Sequence, residues 1–133
     1  METLQAILTR RSIRAFRSDP VPEETIRILL EAAMFAPSAR NTRAWTFVTI
    51  RKREKLDRLA QIHPYAGMLK SAPLAIAVCG DREREPHDGY LAINCAAAVQ
   101  NLMLAAHDQD LGTCWLGVYP RAERMTDIAR ELV

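Results

Sequence analysis

The chain has 133 residues, 49% hydrophobic and 26% charged, with 5 Gly and 7 Pro. These figures describe one globular domain and exclude a disordered chain, a collagen-like repeat and a disulfide-stapled miniprotein. The 18 basic and 16 acidic residues leave a net charge of +2, too little to imply nucleic acid through bulk charge. No basic start leads into an apolar secretory segment, so secretion is not expected.

Residues 2–10 read as a short helix with Leu4, Ile7 and Leu8 on one face. Pro22 followed by Glu23 and Glu24 opens a second helix, since proline fits a first turn and acids suit its positive end. Ile26, Leu29, Leu30 and Ala33 form its buried stripe, and it stops before Pro37. Residues 36–44 read as a loop, and residues 45–50, aromatic and β-branched, as a strand. A third helix over 54–62 is closed by Pro64. The run 74–79 lacks alternation, as expected of a strand covered on both faces.

Residues 81–88 read as a charged connection. Residues 89–109 form the longest helix, and its apolar residues surround the axis. Asn94, Gln100 and Asn101 interrupt its most apolar part, which makes it a buried helix rather than a membrane span. Such a helix needs cover on all sides, in the middle of the fold or at a subunit contact. Gly112 stands where a helix C-cap is expected, and residues 113–118 read as a third strand. Residues 121–132 close the chain as an amphipathic helix with Met125, Ile128, Ala129 and Leu132 inward. No repeat or linker divides the chain, and the pattern predicts an α+β or α/β sandwich. A crossover between the first two strands would allow parallel pairing, although periodicity leaves their direction open.

Cys79, Cys95 and Cys114 lie among apolar neighbours and read as small hydrophobes of a reducing compartment. His63, His87 and His107 lack metal-ligand spacing, so no metal site is expected, and each reads as a solvated histidine near an element end.

Three segments could carry chemistry. Arg10-Arg11-Ser12-Ile13-Arg14 places three guanidiniums and a hydroxyl in five residues. If extended, it directs Arg10, Ser12 and Arg14 to one side, where they suit a phosphate. Its bland alternative is a basic turn capping the first helix. Pro37-Ser38-Ala39-Arg40-Asn41 offers small side chains and an amide to the edge of a flat ligand, or is an ordinary helix-to-strand loop. Gly112-Thr113-Cys114-Trp115-Leu116-Gly117 brackets an aromatic between two glycines, or is a core strand with flexible ends.

In this order, the segments resemble the nitroreductase family of FMN-dependent oxidoreductases. The match comprises Arg10-Arg11-Ser12-Ile13-Arg14-Ala15-Phe16, Ala36-Pro37-Ser38-Ala39-Arg40-Asn41 with Trp45-Thr46-Phe47, and Gln100-Asn101-Leu102 running into Leu111-Gly112-Thr113-Cys114-Trp115-Leu116-Gly117. The likeness covers essentially the whole chain as a single domain, 1–133. It implies an α+β, three-layer sandwich with a central sheet, working as a cytoplasmic homodimer with two FMN molecules at the subunit interface. Arg10, Ser12 and Arg14 would then bind the FMN phosphate, ribityl chain and pyrimidine edge, with Arg11 assisting. Pro37, Ser38, Ala39 and Asn41 would reach the same flavin from the other subunit, and Trp115, Leu116 and Gly117 would lie against the ring near N5.

The implied activity passes hydride from NADH or NADPH through FMN N5 to a nitroaromatic, quinone or similar planar acceptor, with no side-chain nucleophile and no metal. Two departures stand out. Arg43-Ala44 replaces the Gln-Pro often found in the family, and members usually continue past Val133 with another strand and a tail. Lys70 could serve where some relatives place polar flavin ligands. The alternatives are a non-catalytic flavin-binding module, and a specialised dehalogenase or flavin-fragmenting enzyme on the same fold.

Overall fold

A computed structural model describes residues 1–133. The helices are α1 (Thr3–Thr9), α2 (Glu23–Met34), α3 (Arg53–Ile62), α4 (Asp88–Asp108) and α5 (Ala122–Leu132). The strands are β1 (Trp45–Ile50) and β2 (Ala75–Gly80), with short 3₁₀ turns at Ala39–Asn41 and Gly67–Lys70.

The strands pair antiparallel in a register running from Trp45 opposite Gly80 to Ile50 opposite Ala75. This settles the direction that periodicity left open. Side chains alternate across a strand, so the ribbon has two apolar faces. Trp45, Phe47, Ile76 and Val78 pack into a core with Leu29 and Ala33 of α2 and Ala98, Leu102 and Ala106 of α4. Val48, Ile50, Ala75 and Ala77 pack into a second core with Leu56 and Leu59 of α3 and Ile128 and Leu132 of α5. The missing alternation in β2 has this cause: helices cover it on both sides. The result is a three-layer sandwich with a thin central sheet.

The expected third strand over 113–118 is not formed. Only Thr113 makes an isolated parallel bridge, to Ser12, and the segment does not join the two-stranded sheet of β1 and β2. Helix α1 also departs from expectation. Ala6 is its buried residue, while Leu4, Ile7 and Leu8 are exposed. In α5, Met125, Ile128 and Leu132 are half-buried as expected, but Ala129 is exposed.

Helix α4 has the length and apolarity of a membrane span, yet it is the core helix of the sandwich. Its inner face is Leu91, Asn94, Ala98, Leu102, Met103 and Ala106, while Ile93 stays exposed. Gly112 does not cap it. The Leu111 amide bonds the Ala106 carbonyl at 2.8 Å and the Asp110 amide bonds that of His107 at 3.2 Å, with Asp110 left-handed at φ 57°. That pairing is a Schellman cap in which Asp110 takes the place usually held by glycine. Gly112 is needed instead for a close approach: a Cβ there would stand 2.8 Å from Cγ2 and 2.9 Å from Cβ of Ile13.

Ala33 and Ala98 are both wholly buried in the α2–α4 core. Ala98→Leu should therefore overpack that core and cost about 1–3 kcal/mol. Denaturant midpoints at unchanged m-value check this.

Candidate functional site

The arm after α1 leaves the helix in extended conformation, with Arg10 at φ −56° and ψ 138°. The Ile13 amide bonds the Thr113 carbonyl at 2.8 Å, and Ser12 bridges Thr113, so the arm lies along the segment leading to Trp115 and Gly117. Two of the three segments singled out in the sequence are thus brought together. Arg10 is half-buried, and its Nη1 is enclosed without a hydrogen-bond partner. Arg11 turns back, donating to the Leu8 and Arg10 carbonyls at 2.8 Å each. It serves the negative end of α1, the capping role foreseen for the arm as a whole. Ser12 and Arg14 are exposed.

Trp115 is 49% exposed, a large aromatic held at the surface two residues after Thr113. Leu116 packs against the α3–α5 core and anchors the segment. The Gly117 carbonyl accepts from His63 Nε2 at 2.8 Å and from Arg124 Nη1 at 3.2 Å. His63 is buried rather than solvated, which corrects the sequence expectation. The Tyr65 amide donates to its Nδ1 at 3.1 Å, so the hydrogen resides on Nε2 and the ring is the neutral tautomer. The proline that directly follows His63 in the chain gave no sign of this role.

The third segment stands apart. No hydrogen bond or ion pair joins Pro37, Ser38, Ala39 or Asn41 to the arm. Its backbone is unusual: Arg40, Asn41 and Arg43 are all left-handed, at φ 54°, 55° and 50°. Each such non-glycine residue costs on the order of 1–2 kcal/mol. The loop is held by the Ala39 amide on Asn94 Oδ1 at 3.1 Å, the Arg43 amide on Ser38 Oγ at 3.0 Å, and Arg43 Nε on Asn41 Oδ1 at 3.0 Å. Arg40 Nη2 reaches Glu85 Oε2 at 2.7 Å. Glu85 is wholly buried, although it lies in the charged connection 81–88. Pro37 is exposed, and with Asn41, Arg43, Met34 and Phe35 it lines an open depression at the end of α2.

The remaining chemistry is quiet. All three cysteines are free and half-buried, and burial pushes the Cys79 and Cys95 thiols up, so both stay protonated at neutral pH. No cluster of His, Cys, Asp or Glu could hold a metal ion.

A family model described as the Nitroreductase family matches residues 7–63 and 61–132. The chain belongs to the nitroreductase family. A protein of Methanothermobacter thermautotrophicus named "Putative NADH dehydrogenase/NAD(P)H nitroreductase" is 47% identical over 130 residues, 98% of this chain and 68% of that protein. A crystal structure of a protein so named from Parabacteroides distasonis superposes with a TM-score of 0.93 at 42% identity, covering 98% of this chain and 76% of that one. An FMN-dependent nitroreductase from Clostridium difficile superposes at 0.89 and 32% identity, over 98% of this chain and 78% of its own. The sandwich described above is therefore the nitroreductase fold.

Because Gly112 lets the arm lie against its neighbour, Gly112→Ala should force Ile13 away. A loss of about 1–3 kcal/mol is expected, with faster amide exchange at Ile13 than in β1.

Proposed function

We propose that this chain is an FMN-dependent oxidoreductase that passes hydride from NADH or NADPH to a planar acceptor such as a nitroaromatic or a quinone. The observation that carries this reading is the pairing of the arginine arm with Thr113, just ahead of Trp115–Gly117, together with an Arg10 Nη1 that is enclosed and unpartnered. A buried guanidinium nitrogen without an acceptor is costly, and a phosphate oxygen would satisfy it. The donor set fits FMN. The relative from Clostridium difficile is by its name FMN-dependent, and the Methanothermobacter protein is by its name an NAD(P)H nitroreductase, which supports the same cofactor and reductant here.

Arg10, with Arg11 assisting, would neutralise the phosphate, and Ser12 would donate to the ribityl chain. Arg14 would stand at the pyrimidine edge, where its charge stabilises electron density gathered on that side of the ring. Trp115, Leu116 and Gly117 would form the floor under the ring, and His63 holds that floor by its bond to the Gly117 carbonyl. When bound, FMN would supply the atom that takes up and returns a hydride. No side chain needs to act as nucleophile.

Pro37, Ser38, Ala39 and Asn41 are not joined to the arm of the same copy, which supports their serving the cofactor of a second copy in a homodimer. Leu4, Leu8, Ile93 and Phe35, the last 80% exposed, are apolar surface that such a dimer would cover. We read residues 1–133 as one unit of that assembly. Three free cysteines favour a reducing, cytoplasmic setting.

Purified protein should take up FMN, become yellow, and bleach when NADH or NADPH is added without oxygen. A coloured protein that neither nucleotide reduces would make it a flavin-binding module, and a colourless protein that refuses FMN would end the proposal. Arg14→Ala should weaken FMN binding about tenfold or more, as loss of a charged hydrogen bond does, and lower the flavin potential. Equilibrium dialysis and a reductive titration check both.

A further inference from the structure

Glu85 poses a problem that the assigned functions leave unsolved. Its carboxylate is wholly buried. A hydrophobic residue of like size would fill the space at lower cost, so a buried acid points to a specific task. Its oxygens have two partners: Oε1 accepts the His87 amide at 3.1 Å, and Oε2 accepts Arg40 Nη2 at 2.7 Å. The Arg40 guanidinium also lies 5.8 Å from the centre of the Tyr90 ring, so it is gripped from two sides.

Arg40 is the first of the left-handed residues in the loop, at φ 54°. Left to itself, a non-glycine backbone would relax from this region. Drawing the side chain toward Glu85 fixes the direction in which Arg40 leaves the chain and so keeps the loop from relaxing. On one flank, Asn94 Oδ1 holds the Ala39 amide, from the inner face of α4. The fold thus grips the loop from the β2–α4 connection and from α4 itself.

We propose that Glu85 is a positioning residue: through Arg40 it locks the Ser38–Arg43 loop in the shape that presents Ser38, Ala39 and Asn41 to the cofactor. The last clause rests on the cofactor reading given above, whereas the locking itself does not.

The test uses the full chain, free of cofactor and then titrated with FMN. Hydrogen exchange reads the loop directly, because the Asn41, Thr42 and Arg43 amides are bonded to the Ser38 carbonyl, the Ala39 carbonyl and Ser38 Oγ. Glu85→Ala should speed exchange at these amides about tenfold while leaving β1 and β2 unchanged. It should also raise the FMN dissociation constant about tenfold, read by quenching of flavin fluorescence. Glu85→Gln keeps the length and one acceptor but turns an amide NH2 toward one of the two donors, so it should show both losses in weaker form. It also stands in should the alanine variant fail to fold. Adding Arg40→Gly to Glu85→Ala should restore affinity in part, because glycine adopts the left-handed region without a clash.

Equal acceleration across β1 and β2 would show a merely structural acid and overturn the proposal. So would unchanged loop exchange in Glu85→Ala. Should the parent protein take up no FMN, the cofactor reading fails, and the exchange pattern alone decides the lock.

Discussion

The site depends on a close approach: Gly112 lies so near Ile13 that no Cβ could stand between them. Through it the arm after α1 reaches the segment after α4, and one amide bond with a single bridge then fixes their alignment. These segments are almost a hundred residues apart in the chain. A core helix capped by Asp110 delivers one of them, and a short helix capped by Arg11 delivers the other. Caps and one missing methyl, rather than a large buried area, make the meeting possible.

The two halves of the site are stabilised by different physics. The arm and its partner segment are anchored by packing, with Leu116 in the α3–α5 core and His63 reaching up from beneath. The Ser38–Arg43 loop has little core beneath it and carries three left-handed residues. Polar contacts from buried groups compensate, above all Glu85 and Asn94. Strained backbone of this kind persists only where its surroundings over-determine it, and it clusters at ligand-binding positions. Polar locks of this kind favour one shape of the loop more than they add to overall stability.

Much of this was legible in the sequence. β1 was read at its true bounds and α2, α3, α4 and α5 within a residue or two, because apolar periodicity and proline are local signals. The double cover on β2 followed from its unbroken apolar run. The segment over 113–118 has the composition of a strand, yet it meets the arm at a single bridge instead of joining the sheet, and composition alone does not distinguish the two. Leu4, Ile7 and Leu8 have the spacing of a buried face, yet nothing in the chain covers them. Glu85 and His63 were invisible for the opposite reason. Each is polar by type, Glu85 in a charged run and His63 at a helix end, and only the tertiary fold encloses them. The arginine arm was found by density of charge, but the division of labour within it, Arg11 to the helix and Arg10 inward, was not.

The bond from His63 to Gly117 reaches beyond simple support. A carbonyl oxygen has two lone pairs, and at Gly117 the imidazole and the Arg124 guanidinium occupy both. Anything laid against Gly117 meets a carbonyl that is already saturated. At that one position the turn has no lone pair left to offer a visiting hydrogen.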